Sequence, residues 1–250
     1  MNRPVKSLLL LLLILNTVTL SSPLAAQTKY SKTIYNAFIS GDFSIWLSII
    51  NTIEHSNEAL TNDQELELVS YYYGYVSHLI RNNEYDKALA ILPKGDKHIA
   101  NILKDSPLNP TAHSYKASFL GFRISISKFK AFTLGAESTE NIDVALKTDP
   151  NNIQALVDKG NSLFHLPGIF GGDKVEAMRL YLKAMKLMEQ TGKTEENWFY
   201  LNLLTIIGKS YMKLDKLPEA KLSFEKALRK EPDYMIVKTV LYPNLLKTMH

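Results

Sequence analysis

The stretch LNLLTIIGKSYMKLDKLPEAKLSFEKALRKEP, residues 201–232, decides the fold. Its apolar residues recur three and four apart, the spacing that lines one face of an α-helix, and it reads as two helices joined by a short turn. Gly208 lets the two helices approach closely, Ala220 and Ala227 keep the facing helix thin at the crossing, and Tyr211 and Phe224 fill the space beside them. Pro232 ends the second helix because it cannot continue the hydrogen-bond ladder.

Working upstream, the same unit returns with an insertion. Ala177, Tyr181 and Ala184 keep the spacing of Ala220, Phe224 and Ala227, and Gly160 stands for Gly208. Gly160 to Ala177 is 17 residues where Gly208 to Ala220 is 12, so five extra residues enter the turn Leu166-Pro167-Gly168-Ile169-Phe170-Gly171-Gly172-Asp173. Asp173 and Glu176 have the spacing of a reciprocal helix cap. The helix end Ala227-Leu228-Arg229-Lys230-Glu231-Pro232 repeats Ala145-Leu146-Lys147-Thr148-Asp149-Pro150, with an echo in Ile102-Leu103-Lys104-Asp105-Ser106-Pro107. The prolines lie 43 and 82 residues apart, one and about two units of a common period. Gly74 and Ala88 suggest a further pair whose second helix begins at Tyr85. Residues 111–135 read as one long helix, and Tyr35 to Ile53 as a helical hairpin turning at Gly41-Asp42.

Leu204-x2-Ile207-Gly208-x2-Tyr211, Ala220-x3-Phe224, Ala227 and Pro232 together resemble the tetratricopeptide repeat, with Leu204 in place of its tryptophan. The resemblance implies an all-α, right-handed α-α superhelix of about five helix pairs over residues 27–250, clearest over 153–189 and 201–234. In that family the first helix of each pair lines a concave groove. The groove residues so implied are Asn161 and Phe164 in one unit and Asn202, Thr205, Lys209 and Met212 in the next. The variety that clamps acidic C-terminal tails would need a lysine where Val157 stands, so that specificity is not carried over. The Pro167 to Asp173 turn is similar to loops of exported or organelle-associated relatives, some of them transporter-associated, where it can border a ligand groove.

The N-terminus has the layout of a secretory signal peptide. Arg3 and Lys6 precede an apolar run from Leu8 to Leu15, and small residues lead to Ala25-Ala26. The run is broken at Asn16-Thr17, short of the roughly 20 apolar residues that a spanning helix needs. Cleavage is expected after Ala26, with a periplasmic or secreted product and no membrane insertion afterwards. There is no cysteine, hence no disulfide and no lipid-modified cysteine. After cleavage 27 cations face 25 anions, a balance unlike that of a dedicated nucleic-acid binder.

Signals for chemistry are sparse. No two of the six histidines are three or four apart, no G-x-S-x-G elbow occurs, and a helix would point Glu195 and Glu196 to different faces. No metal or cofactor is expected. Gly171-Gly172-Asp173-Lys174 puts a carboxylate where a phosphate-binding loop would hold phosphate, which favours a structural turn. In Tyr71-Tyr72-Tyr73-Gly74-Tyr75, Tyr72 and Tyr73 are expected in the core and Tyr71 and Tyr75 on one exposed face. The expected function is a non-enzymatic scaffold that grips a protein or peptide partner. The rival is a small-ligand-binding accessory of a transport system, its pocket framed by Tyr71, Tyr75 and the turn Pro167, Gly171, Gly172, Asp173.

Overall fold

The computed structural model describes residues 29–56 and 59–249; the expected signal segment and its cleavage point lie outside the described residues. The described residues contain no strand and eleven α-helices. Ten of them form five successive pairs: α1 (Ser31–Ser40) with α2 (Phe43–Glu54), α3 (Asn62–Arg81) with α4 (Tyr85–Asp105), and α5 (Pro110–Ile126) with α6 (Ala131–Thr148). The last two are α7 (Ile153–His165) with α8 (Lys174–Gln190), and α9 (Trp198–Lys213) with α10 (Leu217–Lys230). A π-helical turn, Val237–Leu241, leads into α11 (Tyr242–Met249).

Local chemistry sets the boundaries. Asn109, Asn152, Asp173 and Asn197 each accept a backbone N–H from the first turn of the helix that follows, and Thr61 with Gln64 forms a full capping box. Gly41 turns α1 into α2 with φ 76°, a conformation open to glycine at little cost. The repeated Ala-Leu-x-x-x-Pro ends coincide with the termini of α6 and α10, and the echo with that of α4. Inside the last two pairs the glycines meet rings as the spacing implies. A Cβ on Gly208 would fall 2.4 Å from Phe224, and one on Gly160 would fall 2.5 Å from Tyr181.

Three expectations change. The helix expected over 111–135 is two helices: Ser127 is extended (φ −135°, ψ 102°) and a 3-10 turn, Lys128–Lys130, redirects the chain. No proline or glycine marks that break, so periodicity runs straight through it. Gly74 does not face its own pair; an added Cβ would fall 2.5 Å from Trp46 and 3.2 Å from Trp198, of α2 and α9. Glu176 does not complete a reciprocal cap, because its carboxylate turns to Arg179 and Asp173 caps α8 alone.

The superhelix closes on itself. Trp198, at the start of α9, packs 5.7 Å from Phe38 of α1, 5.1 Å from Trp46 of α2 and 6.4 Å from Tyr73 of α3, ring centre to ring centre. Tyr73 also meets Tyr115 and Phe122 of α5, so first helices of separate pairs share one aromatic core. Polar ties reinforce the closure: Lys32 pairs with Glu196 at 2.9 Å, and the Tyr35 hydroxyl donates to Glu231 at 3.0 Å. Rings of this size bury roughly 150–250 Å² each, which makes the closure a large share of the core.

Candidate functional site: a basic mouth on a closed superhelix

The inner face expected to form an open groove is partly occupied. Thr205 is buried, its hydroxyl donating to the Leu201 carbonyl and lying 3.3 Å from the Tyr234 hydroxyl, and Tyr234 packs on Phe38. Asn161 accepts the Tyr181 hydroxyl at 2.8 Å, so its amide serves the pair's own second helix. Asn202 and Met212 are half-buried, while Lys209 keeps access to water.

The tyrosines divide differently from the expectation. Tyr72 and Tyr73 are in the core as expected, but Tyr71 (2 % exposed) and Tyr75 (8 %) are buried too. The Tyr71 carbonyl accepts the Trp46 indole N–H at 2.9 Å, and its hydroxyl donates to Glu67. A helix that meets α2, α4, α5 and α9 at once has no free side, so the exposed pair does not exist. With both rings withdrawn, Tyr71 and Tyr75 cannot frame the pocket of the small-ligand rival.

What stays open is the end of the superhelix where the first helices of the pairs terminate. Arg81 ends α3, His165 ends α7, and Lys209 and Lys213 stand four apart on the last turns of α9. Phe164 forms the floor there, 5 % exposed, with the Lys213 ammonium 6.0 Å and the Lys174 ammonium 5.9 Å from its ring centre. Lost hydration, then repulsion from Arg81 and Lys213, lowers the Lys209 pKa below the usual lysine value. His165 is lowered by lost hydration and then by Lys213, Lys209 and Lys128, so these three lysines act on its imidazole. Among the described residues, Arg81, Lys209 and Lys213 form no ion pair with a carboxylate.

Helix C-termini favour cations, which accounts for the sign at Arg81, His165 and Lys213. It does not account for the crowding. Like charges four apart on one helix repel, and Arg81 brings a third cation towards them from α3. The arrangement can hold an anion by charge-assisted hydrogen bonds. Sequence reasoning selected Lys209 and Phe164 but missed Arg81, His165 and Lys213. The four-residue spacing of Lys209 and Lys213 was the available signal; the approach of Arg81 needed the closure.

Two buried polar sites were also missed. His98, on α4, sets Nε2 3.0 Å from Glu54 and Nδ1 3.3 Å from Glu65, and Asn101 donates to Glu65 at 3.0 Å. The Tyr72 hydroxyl donates to Glu54 as well. Burial raises the Glu54 carboxyl, but the Tyr72 and His98 hydrogen bonds outweigh it and hold the group below its ordinary value. Asp158 of α7 is fully enclosed, and burial pushes it up to about 6 against the opposing hydrogen bonds of Ser114 (2.6 Å) and Gln154 (3.0 Å). Both sites join helices within the core. Among the described residues no set of three His, Asp or Glu side chains is placed to hold a metal ion.

The inserted turn is an ordered structural element. The Asp173 carboxylate accepts the N–H groups of Val175 and Glu176 at 2.9 Å each, so the anion position at the α8 N-terminus is taken by the chain itself. Glu195 and Glu196 diverge as expected, Glu195 to Lys230 and Glu196 to Lys32. The shallow surface clefts on α6, lined by Gly135, Thr139, Glu140 and Asp143, and on α2, lined by Ser44, Ser48 and His55, include none of the sequence-selected residues.

No protein-family model matches the chain. No curated protein matches it in sequence. Among solved structures it is similar to TTC0263, described as a thermophilic TPR protein in Thermus thermophilus. That likeness has a TM-score of 0.53 at 11 % identity, over 87 % of this chain and 99 % of that one. A weaker likeness, with a TM-score of 0.42 at 19 % identity over 75 % of this chain and 70 % of that one, is to PilF of Pseudomonas aeruginosa. The five pairs, the glycine-to-ring crossings of the last two and the likeness to TTC0263 establish a tetratricopeptide-type all-α helical superhelix.

Proposed function

We propose that the protein is an exported, non-enzymatic scaffold that holds an anionic segment of another protein at the mouth lined by Arg81, His165, Lys209 and Lys213. The observation that carries this reading is a cluster of cations that repel one another and lack carboxylate partners among the described residues, standing beside an apolar floor at Phe164. A segment bearing Asp or Glu side chains would relieve that repulsion, and each charge-assisted hydrogen bond contributes about 1.5–3 kcal/mol. Export rests on Arg3 and Lys6, the Leu8 to Leu15 run and Ala25-Ala26. The absence of any recognisable nucleophile, base or metal set in the sequence favours binding over catalysis.

The test is fluorescence anisotropy with a labelled Glu-rich peptide and a Lys-rich control, using wild type and the Arg81→Gln, Lys209→Gln and Lys213→Gln variants. The account expects the Glu-rich peptide alone to bind, with affinity falling about tenfold per removed cation. Equal binding by the triple variant overturns it. Displacement of the peptide by a millimolar dicarboxylate, with a specific thermal shift, would transfer the site to the small-ligand reading. Export is tested by N-terminal sequencing of the mature protein, which should begin at Gln27.

A further inference from the structure

Two consecutive turns on one edge of the superhelix hold large apolar side chains out in water. On the turn from α5 to α6 and the first residues of α6, Phe129 is 84 % and Phe132 89 % exposed; on the turn from α7 to α8, Ile169 is 87 % and Phe170 70 % exposed. Each turn joins the first helix of a pair to the second, and the pairs are neighbours, so both project from the same edge. Lys128 of one turn acts electrostatically on His165, which precedes the other. Isolated exposed apolar residues are ordinary, but four large ones on two adjoining turns form a patch.

The second turn is built to present its tip. Phe170 N–H donates to the Pro167 carbonyl at 2.9 Å, Gly171 N–H to Gly168 at 3.0 Å, Gly172 N–H to Pro167 at 3.1 Å, and Asp173 N–H back to Leu163 at 3.0 Å. Gly171 has φ 89°, and a Cβ on Gly172 would fall 1.9 Å from the Leu166 carbonyl oxygen, so the path is fixed by two glycines. The five inserted residues thus form a pinned loop whose apolar tip is turned away from the core.

Cations surround the tips. The sequence Lys128-Phe129-Lys130-Ala131-Phe132 alternates charge with ring, and Lys174 follows the second turn. Among the described residues these three lysines form no ion pair. The nearest acids on the second turn are committed: Asp173 caps α8 and Glu176 pairs with Arg179.

We propose that this edge docks peripherally on an anionic phospholipid surface, with Phe129, Phe132, Ile169 and Phe170 entering the interfacial layer and the flanking lysines meeting lipid phosphates. The shape favours a bilayer over a folded partner. The apolar side chains protrude from convex turns, so a protein would have to supply a separate pocket for each tip, whereas a bilayer yields to all of them. No helix among the described residues is long and apolar enough to cross a membrane, so the association is with its surface. The docking edge adjoins the mouth, with Lys174 beside Phe164 and Lys128 acting on His165, but its four apolar tips are not mouth residues, and docking stands whether or not the mouth binds a peptide.

The experiment is vesicle flotation of the purified protein with phosphatidylcholine alone and with phosphatidylcholine containing a quarter phosphatidylglycerol. Variants are Phe129→Ser with Phe132→Ser, Ile169→Ser with Phe170→Ser, and Lys128→Gln with Lys130→Gln and Lys174→Gln. All seven positions are exposed, and unchanged thermal melts verify that each variant folds. The expected result is flotation with the anionic vesicles only, weakened about tenfold or more by each variant and by raising salt from about 0.05 to about 0.5 M. The proposal is overturned if wild type stays unbound with anionic vesicles, or if the serine variants float as well as wild type. It is equally overturned if vesicles are ignored while an acidic folded protein is captured through the same apolar residues.

Discussion

The last two helix pairs and the first two are built from the same kind of helix but cohere differently. In α7 to α10 each glycine faces a ring of its own pair, Gly160 against Tyr181 and Gly208 against Phe224, and the alanines beside them are fully buried. In α1 to α4, Gly74 faces Trp46 and Trp198 and Gly95 faces Phe119 of α5, so the tightest glycine approaches cross between pairs. The C-terminal pairs are modules stabilised from within. The α3–α4 pair also packs within itself, but the N-terminal pairs in addition close onto later helices, and that closure builds an aromatic core with a basic mouth.

The seam at Trp198 is where the N-terminal pairs depend most on the rest of the chain. Trp198→Ala removes the ring shared by Phe38, Trp46 and Tyr73, and is expected to cost about 4 kcal/mol in urea unfolding while raising proteolysis within α1 and α2. Loss of stability without greater cleavage there would mean that α1 and α2 do not depend on the seam. Gly208→Ala attacks the module instead. The new methyl meets Phe224, and a cost of about 3 kcal/mol is expected with α1 and α2 still protected. Gly121→Ala, where nothing lies within 4 Å, is the control and should be neutral or slightly stabilising.

Asp158 sharpens the comparison, because it lies where α5 and α7 meet beneath Tyr73 and Tyr115, and its charge raises both tyrosines after burial itself. Its folded-state pKa, about 6, stands above the ordinary 3.8, so burial favours the neutral form. The stability this confers is fully present below about pH 4 and is lost as pH rises through 6. Asp158→Asn, which keeps an acceptor for Ser114, should therefore gain about 2 kcal/mol over wild type at pH 8 and nothing at pH 4. A constant difference across that range would contradict the assignment. Apart from the Gly121 control, the smallest effect is expected at Gly171→Ala, where φ 89° costs a side chain about 1 kcal/mol and leaves the fold intact.

The division between modules and closure is also the division between what was legible in the sequence and what was not. Gly208, Ala220, Phe224, Ala227 and Pro232 act on neighbours within one pair, so their spacing carries the geometry, and the inserted copy from Gly160 to Ala184 follows by the same rule. The turn at Ser127 left no trace because neither proline nor glycine makes it. Tyr71 and Tyr75 were misplaced because a helix face is exposed only until another element covers it, and Trp46 of α2 lies against Tyr71 from a separate pair. For the same reason Lys209 was visible and Arg81 beside it was not. His98 looked solitary because Glu54 and Glu65 lie on other helices.

Closure of α1 onto the α8–α9 linker underlies both the aromatic core and the mouth, and the lack of native cysteine allows it to be tested by crosslinking. Lys32→Cys with Glu196→Cys replaces an ion pair of 2.9 Å between α1 and the residue two before α9. Treated with a short bismaleimide at low protein concentration, the folded double variant should crosslink within the chain nearly to completion, and each single variant should not. A double variant that stays uncrosslinked, while a cysteine pair set across α9 and α10 reacts fully, would mean an open superhelix and would contradict the account.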